Sequence, residues 1–229
     1  MRAFRLSHAG VVLETEGSSL VIDPGSFSAG DELSAALTAA LPVAGLVITH
    51  EHADHWTPDT VAAVRAAAPD APIFTTAATA SALAAAGFDG VTIVVEGDAA
   101  RVGPFRTSFY GHRHEVLHAS IPVIENVGVR VNDVFAYGGD DLTRPPFRAD
   151  LLGVPIGSPW SNLAQVMDFV LKAAPRRAYL THDGMLSSAG LGLFRSRVEW
   201  CLTQVGGALV ELPRIGTDPG ARFDLARAE

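Results

Sequence analysis

The residues best equipped for chemistry in this chain are its histidines. The densest group is His50-Glu51-His52-Ala53-Asp54-His55, an H-x-H-x-D-H pattern. Neutral imidazoles and a carboxylate are the donors that a borderline cation such as Zn2+ takes. Crowding three imidazoles and an acid onto one short loop costs less when a cation collects them. Given the chain's own composition, the pattern arises by chance in about six of ten thousand sequences, so a merely solvated loop accounts for it poorly.

One loop cannot close such a site, so further ligands must come from elsewhere in the chain. Asp140, after Gly138-Gly139, has a short side chain able to bridge two ions; taken alone it reads as a turn residue. His182 ends the run Tyr179-Leu180-Thr181 and, taken alone, reads equally as a core or rim histidine. His112, His114 and His118 all follow the strand expected over 104–110. Local geometry ranks His114 first, because the chain has room to turn back before it. His112 still continues the strand direction, and His118 suits an alternative ligand or a substrate contact. Asp23, before Pro24, either orients a ligating histidine by accepting its free N–H or simply forms a turn. His8 is a candidate substrate contact or a plain rim histidine, and Ser158-Pro159-Trp160 is either a pocket wall or a turn with a buried Trp.

The elements that must position these residues are legible from apolar runs and turn residues. Strands are expected over 3–7, 11–14, 19–22, 45–49, 72–75, 91–95, 104–110, 127–131, 134–137, 151–156 and 177–181. Helices are expected over 31–41, 59–68, 79–86, 162–174 and 191–205, with Thr57 capping the second ahead of Pro58. Asn132-Asp133 reads as a hairpin turn. Strands dominate first and helices then interleave, which predicts an α/β sandwich with helices on the sheet faces. Nearly every histidine follows directly on a strand.

Composition sets the remaining bounds. The chain has 229 residues, 48% hydrophobic, 18% charged, with net charge −8. A chain this long buries roughly 70% of its unfolded surface, which predicts one domain over 1–229 and excludes disorder. Cys201 is the only cysteine and reads as core, so no internal disulfide forms and a reducing, cytoplasmic setting is expected. The N-terminus lacks a secretory apolar region, and no run approaches the ~18 apolar residues of a membrane helix. The acidic balance argues against nucleic acid and leaves a small molecule as the expected partner.

In order, Leu6-Ser7-His8-Ala9-Gly10, Val21-Ile22-Asp23-Pro24, Ile48-Thr49-His50-Glu51-His52-Ala53-Asp54-His55, Tyr137-Gly138-Gly139-Asp140 and Leu180-Thr181-His182 resemble the metallo-β-lactamase superfamily. Within it, they most resemble the branch containing phosphorylated-ascorbate lactonases. The resemblance implies a four-layer αββα sandwich with a dinuclear metal site on one rim. It implies that His50, His52 and a later histidine, with His114 ranked first, hold one ion. Asp54, His55 and His182 hold the other, and Asp140 bridges. Two Zn2+ per chain are expected, with Mn2+ or Fe2+ as substitutes. The implied activity is hydrolysis of a small ester, lactone or phosphodiester by a metal-bridging hydroxide, with Asp54 also accepting a proton as the leaving group departs. The competing readings are a mononuclear-iron sulfur dioxygenase and an RNA-processing nuclease. Di-iron flavoproteins of the superfamily usually carry Glu where this chain has His52.

Overall fold

The computed structural model describes residues 1–215, 218 and 220–226. The strands in chain order are β1 (Arg2–Arg5), β2 (Val11–Thr15), β3 (Ser18–Ile22), β4 (Val43–Val47), β5 (Ile73–Thr75), β6 (Val91–Ile93), β7 (Ala99–Val102), β8 (Phe105–Tyr110), β9 (Gly128–Val131), β10 (Phe135–Tyr137), β11 (Leu151–Pro155), β12 (Arg177–Thr181), β13 (Ala208–Leu209) and β14 (Phe223–Asp224). The helices are α1 (Asp31–Ala39), α2 (Pro58–Ala67), α3 (Ala77–Ala85), α4 (Leu163–Ala173) and α5 (Ser188–Gln204). Two seven-stranded sheets result, in the orders β14-β1-β2-β3-β4-β5-β6 and β13-β12-β11-β10-β9-β8-β7.

Side-chain alternation along each strand decides how these sheets stack. In the first sheet Val11, Leu13, Leu20, Ile22 and Val47 join Phe105, Val129, Phe135, Tyr137 and Tyr179 of the second in one buried core. The intervening residues Phe4, Val12, Val21 and Leu46 point outward, against Leu33, Val61, Val64 and Leu83 of α1, α2 and α3. Ala136, Leu152, Val154, Ala178 and Leu180 likewise leave the second sheet to meet Val166, Phe169, Val170, Val198 and Leu202 of α4 and α5. The layers are therefore helix, sheet, sheet, helix, as expected from the sequence. Cys201 is fully buried in the α4–α5 layer, also as expected.

Topology places the polar loops together. β3, β4 and β5 run parallel in one sheet and β10, β11 and β12 in the other, with α1, α2, α4 and α5 as crossovers. Their C-terminal ends carry Asp23, the His50–His55 loop, Asp140, Ser158 and His182 to one rim. Carboxyl ends of parallel strands are the usual place for a ligand in α/β sheets.

Local chemistry fixes the boundaries. Thr57 caps α2 by accepting from the Thr60 N–H at 3.2 Å, ahead of Pro58. α3 begins at Ala77, because Thr76 accepts the Thr79 N–H, and α5 begins at Ser188 behind the Ser187 cap. Asn132 and Asp133 take φ 50° and 61°, the paired left-handed turn that joins β9 to β10. The expected strand at 45–49 is shifted: β4 ends at Val47, and Thr49 turns out to serve the rim instead. β7, β13 and β14 were not anticipated; β7 is four residues long with only Val102 buried, and the other two are two residues each, too short to carry a period. No helix of the described residues is long and apolar enough to cross a membrane.

Candidate metal centre

The seven side chains expected to hold metal fall into two overlapping groups. His50, His52, His114 and Asp140 form one, and Asp54, His55, Asp140 and His182 the other. Within each group, one ligand atom per residue lies within 4.8 Å of all the others. Asp140 belongs to both and is 2% exposed.

The outer hydrogen bonds determine what each ring turns inward. Asp23 is fully buried; its Oδ1 accepts the Thr49 N–H at 2.8 Å, and its Oδ2 accepts the Thr49 hydroxyl and His55 Nδ1–H at 2.6 Å each. The His55 Nε2 lone pair then faces Asp140 Oδ1 at 3.1 Å. His114 donates Nδ1–H to the Glu115 carbonyl at 2.7 Å, which turns its Nε2 toward Asp140 Oδ2 at 3.2 Å. His182 pairs Nδ1 with Ser158 Oγ at 3.1 Å and aims Nε2 at Asp54 Oδ2 and Asp140 Oδ2, at 3.2 and 3.3 Å. His50 lies with Nδ1 3.0 Å from the Thr49 hydroxyl and Nε2 3.1 Å from His52 Nδ1. Acceptor thus faces acceptor across the centre, an arrangement that demands positive charge between them, as protons or as metal ions. His55 Nε2, His182 Nε2 and Asp140 Oδ1 are buried and have no hydrogen-bond partner. Buried polar atoms are rarely left so, and three converging on one point match a cation's coordination shell. The donor set of imidazoles and carboxylates fits a divalent ion of the zinc kind.

Protonation directions reflect the same crowding. Burial opposes ionisation of Asp54, yet the His182 and His8 imidazoles beside it hold its carboxyl far below the usual range. Asp140 is held low in the same way, burial being outweighed by His55 and His182. Burial would depress His182, but the Asp140 and Asp54 carboxylates raise it to about 9. His55 is raised by Asp140 and Asp23 against its burial. His50 moves the opposite way, pushed down by burial and by the neighbouring His55.

Several positions were unreadable in the sequence or read differently. Gly25 presses on the metal loop, and a Cβ there would meet the Asp54 carbonyl oxygen at 1.8 Å. The Asp23-Pro24-Gly25 turn was a signal for it, but not for that contact. Asn126, 1% exposed, accepts the Asp140 N–H at 3.1 Å and donates to the Gly138 carbonyl at 2.8 Å. A lone Asn before a strand gave no warning of this. Trp160 does line the pocket and also donates its indole N–H to Asp140 Oδ2 at 2.9 Å. His8, Asp23 and His182 all sit at positive φ (63°, 46° and 60°), strained for non-glycine residues.

Two of the alternatives lie away from the pocket. His8 does not line it. It is fully buried and stacked on Phe27 at 4.2 Å; its Nδ1 accepts the Gly184 N–H at 3.0 Å, so its proton is on Nε2, 3.1 Å from Asp54 Oδ2. His118 joins neither group and does not line the pocket; it is exposed, with Nδ1 2.7 Å from Ser120 Oγ. The chain runs outward after His114, whose own N–H is tied to the Ile124 carbonyl at 3.0 Å. His112 is exposed too, 3.8 Å from Glu96.

This fold and rim are those of the β-lactamase superfamily, and the chain belongs to it: the Beta-lactamase superfamily domain matches residues 5–182. Protein Rv0786c of Mycobacterium tuberculosis is 28% identical over 203 residues, covering 86% of this chain and 91% of its own. Igni18, described as a novel metallo hydrolase from the hyperthermophilic archaeon Ignicoccus hospitalis, shares the fold at TM-score 0.69 and 17% identity, over 97% of both chains. CmlA, a diiron beta-hydroxylase from Streptomyces venezuelae, shares it at TM-score 0.67 and 14% identity, over 93% of this chain and 53% of its own. At such identities the two structures establish the fold alone.

Proposed function

We propose that this chain is a metal-dependent hydrolase of a small ester, lactone or phosphodiester, holding two divalent cations of the zinc kind. His50, His52 and His114 would hold one ion, Asp54, His55 and His182 the other, and Asp140 both. The observation that carries this reading is the convergence of buried, partnerless acceptors on one point at the sheet rim. Bound there, the ions would supply Lewis-acid polarisation of the scissile group and a water acidified into the neutral range.

The chain's own residues do the rest. Asp23 and the Glu115 carbonyl hold the His55 and His114 rings by their Nδ1 protons and keep Nε2 turned inward. Trp160 and Asn126 fix the Asp140 carboxylate and its backbone. Asp54, at 24% side-chain exposure against 2% for Asp140, is the more open of the two carboxylates in the second ligand group and can pass a proton to the departing group. The pocket is small, about 190 Å³, and suits a small molecule rather than a polymer. A lone buried Cys201 suits a reducing compartment such as the cytoplasm.

The test is elemental analysis of purified protein, then turnover of lactones, phosphodiesters, β-lactams and thioesters before and after chelation. Metal-dependent hydrolysis of at least one class is expected. Oxygen consumption with a thiol or other oxidisable substrate on iron-loaded protein, in the absence of any hydrolysis, would replace this reading with the oxygenase one.

A further inference from the structure

We infer that the substrate is an uncharged ester or lactone carrying an alkyl arm, seated on an apolar wall beside the metal centre. The inference rests on the hydrolase reading above and narrows it.

The wall comes from an unusual surface. Leu117, Ile121 and Val123, on the loop that bears His114, are 42, 46 and 44% exposed, and Met185, three residues past His182, is 53% exposed. All four line the same pocket as Asp54, Asp140 and His182, as does Trp160. The loop is held rather than loose: the His114 N–H reaches the Ile124 carbonyl at 3.0 Å, and the Glu115 N–H reaches the Asp140 carbonyl at 2.9 Å. Apolar side chains kept in water on a tethered loop are unfavourable unless something covers them, and a cluster of them marks a binding surface.

Charge selects the class of occupant. No Arg or Lys lines this pocket among the described residues, and its one charged side chain outside the two ligand groups is Glu115. A substrate with an anionic group remote from the reacting centre, such as a phosphorylated sugar, would meet no counter-charge there and would face that carboxylate. A neutral alkyl arm meets a matching wall. In the reaction, water oxygen bonds to the acyl carbon, the acyl carbon–oxygen bond breaks, and a water proton ends on the departing alkoxide, with no change in oxidation state.

The experiment uses metal-loaded full-length protein and γ-lactones whose 5-alkyl chain grows from methyl to hexyl. A matched lactone ends its chain in a carboxylate. In parallel, the corresponding γ-lactams, which resist hydrolysis, are titrated by calorimetry. At about two- to fourfold per buried methylene, kcat/KM should rise at least about 30-fold across the series, and lactam affinity should rise with it. The carboxylate-terminated lactone should be at least about tenfold poorer than its neutral counterpart. Ile121→Arg should flatten both slopes and favour the carboxylate-terminated lactone. Flat chain-length dependence, or a preference for the anionic lactone in the unaltered protein, overturns the inference and leaves the hydrolase reading standing. Chain-length-dependent lactam binding without turnover of any ester, lactone or phosphodiester supports the apolar wall and overturns the hydrolase reading instead.

Discussion

His8 donates its Nε2–H to Oδ2 of Asp54 across 3.1 Å, because the Gly184 N–H occupies its other nitrogen. The His8 carbonyl in turn accepts the His182 N–H at 3.0 Å and the Thr181 hydroxyl at 2.8 Å. One buried residue in the turn between β1 and β2 thus ties a proposed ligand from the loop after β4 to the end of β12, which presents another. His8→Ala should lower activity and affinity for the second metal about 10- to 100-fold, the usual cost of losing a residue that orients a ligand. His8→Gln, which can still donate to Asp54, should recover part of this. An alanine variant with unchanged metal affinity and unchanged turnover would leave His8 a packing residue only.

Asp23 should matter for both stability and metal. In Asp23→Asn the amide that replaces one oxygen meets the His55 Nδ1–H donor to donor, in a site with no solvent access. A loss of about 2–4 kcal/mol on chemical denaturation and about 10- to 100-fold weaker metal binding are expected. Unchanged denaturation midpoints would mean that His55 finds another acceptor.

Metal-free protein should respond to pH in a definite sense. His182 is raised from 6.5 to about 9 by Asp140 and Asp54, so its imidazolium stabilises the fold fully below about pH 6.5 and loses that effect as pH rises through 9. The melting temperature in chelator should therefore fall between pH 7 and 10, and zinc should suppress the fall. Metal binding at pH 7 should release protons from His182 and His55, tightening as pH rises. Calorimetry in buffers of different ionisation enthalpy reads this directly, and proton uptake on binding would reverse the assignment.

Much of this site was legible because its chemistry is local. His50, His52, Asp54 and His55 share one loop, and the strands before Asp23, Asp140 and His182 are apolar runs that announce where they end. The choice among His112, His114 and His118 depended on a turn that no periodicity encodes. His114 is brought beside Asp140 by the hydrogen bonds of its N–H to the Ile124 carbonyl and of the Glu115 N–H to the Asp140 carbonyl, contacts between distant segments. For the same reason Asn126, Gly25 and the inward face of His8 were out of reach: their roles exist only once the two sheets meet.

The two histidines after β8 that remain in contention are separable by metal content. His114→Ala should lose one ion per chain, since its Nε2 lies 3.2 Å from the shared Asp140. His118→Ala, altering an exposed ring engaged with Ser120, should lose none. The opposite pattern would exchange their roles.

The central claim is that positive charge at this rim is supplied by two metal ions sharing Asp140. Metal content by mass spectrometry of elements, on protein purified without chelator and then equilibrated with zinc and gel-filtered, tests it most directly. The expected result is close to two ions per chain, falling in Asp54→Ala and in Asp140→Ala while both variants keep their fold by circular dichroism. A ceiling of one ion in excess zinc, or none retained at all, would contradict it.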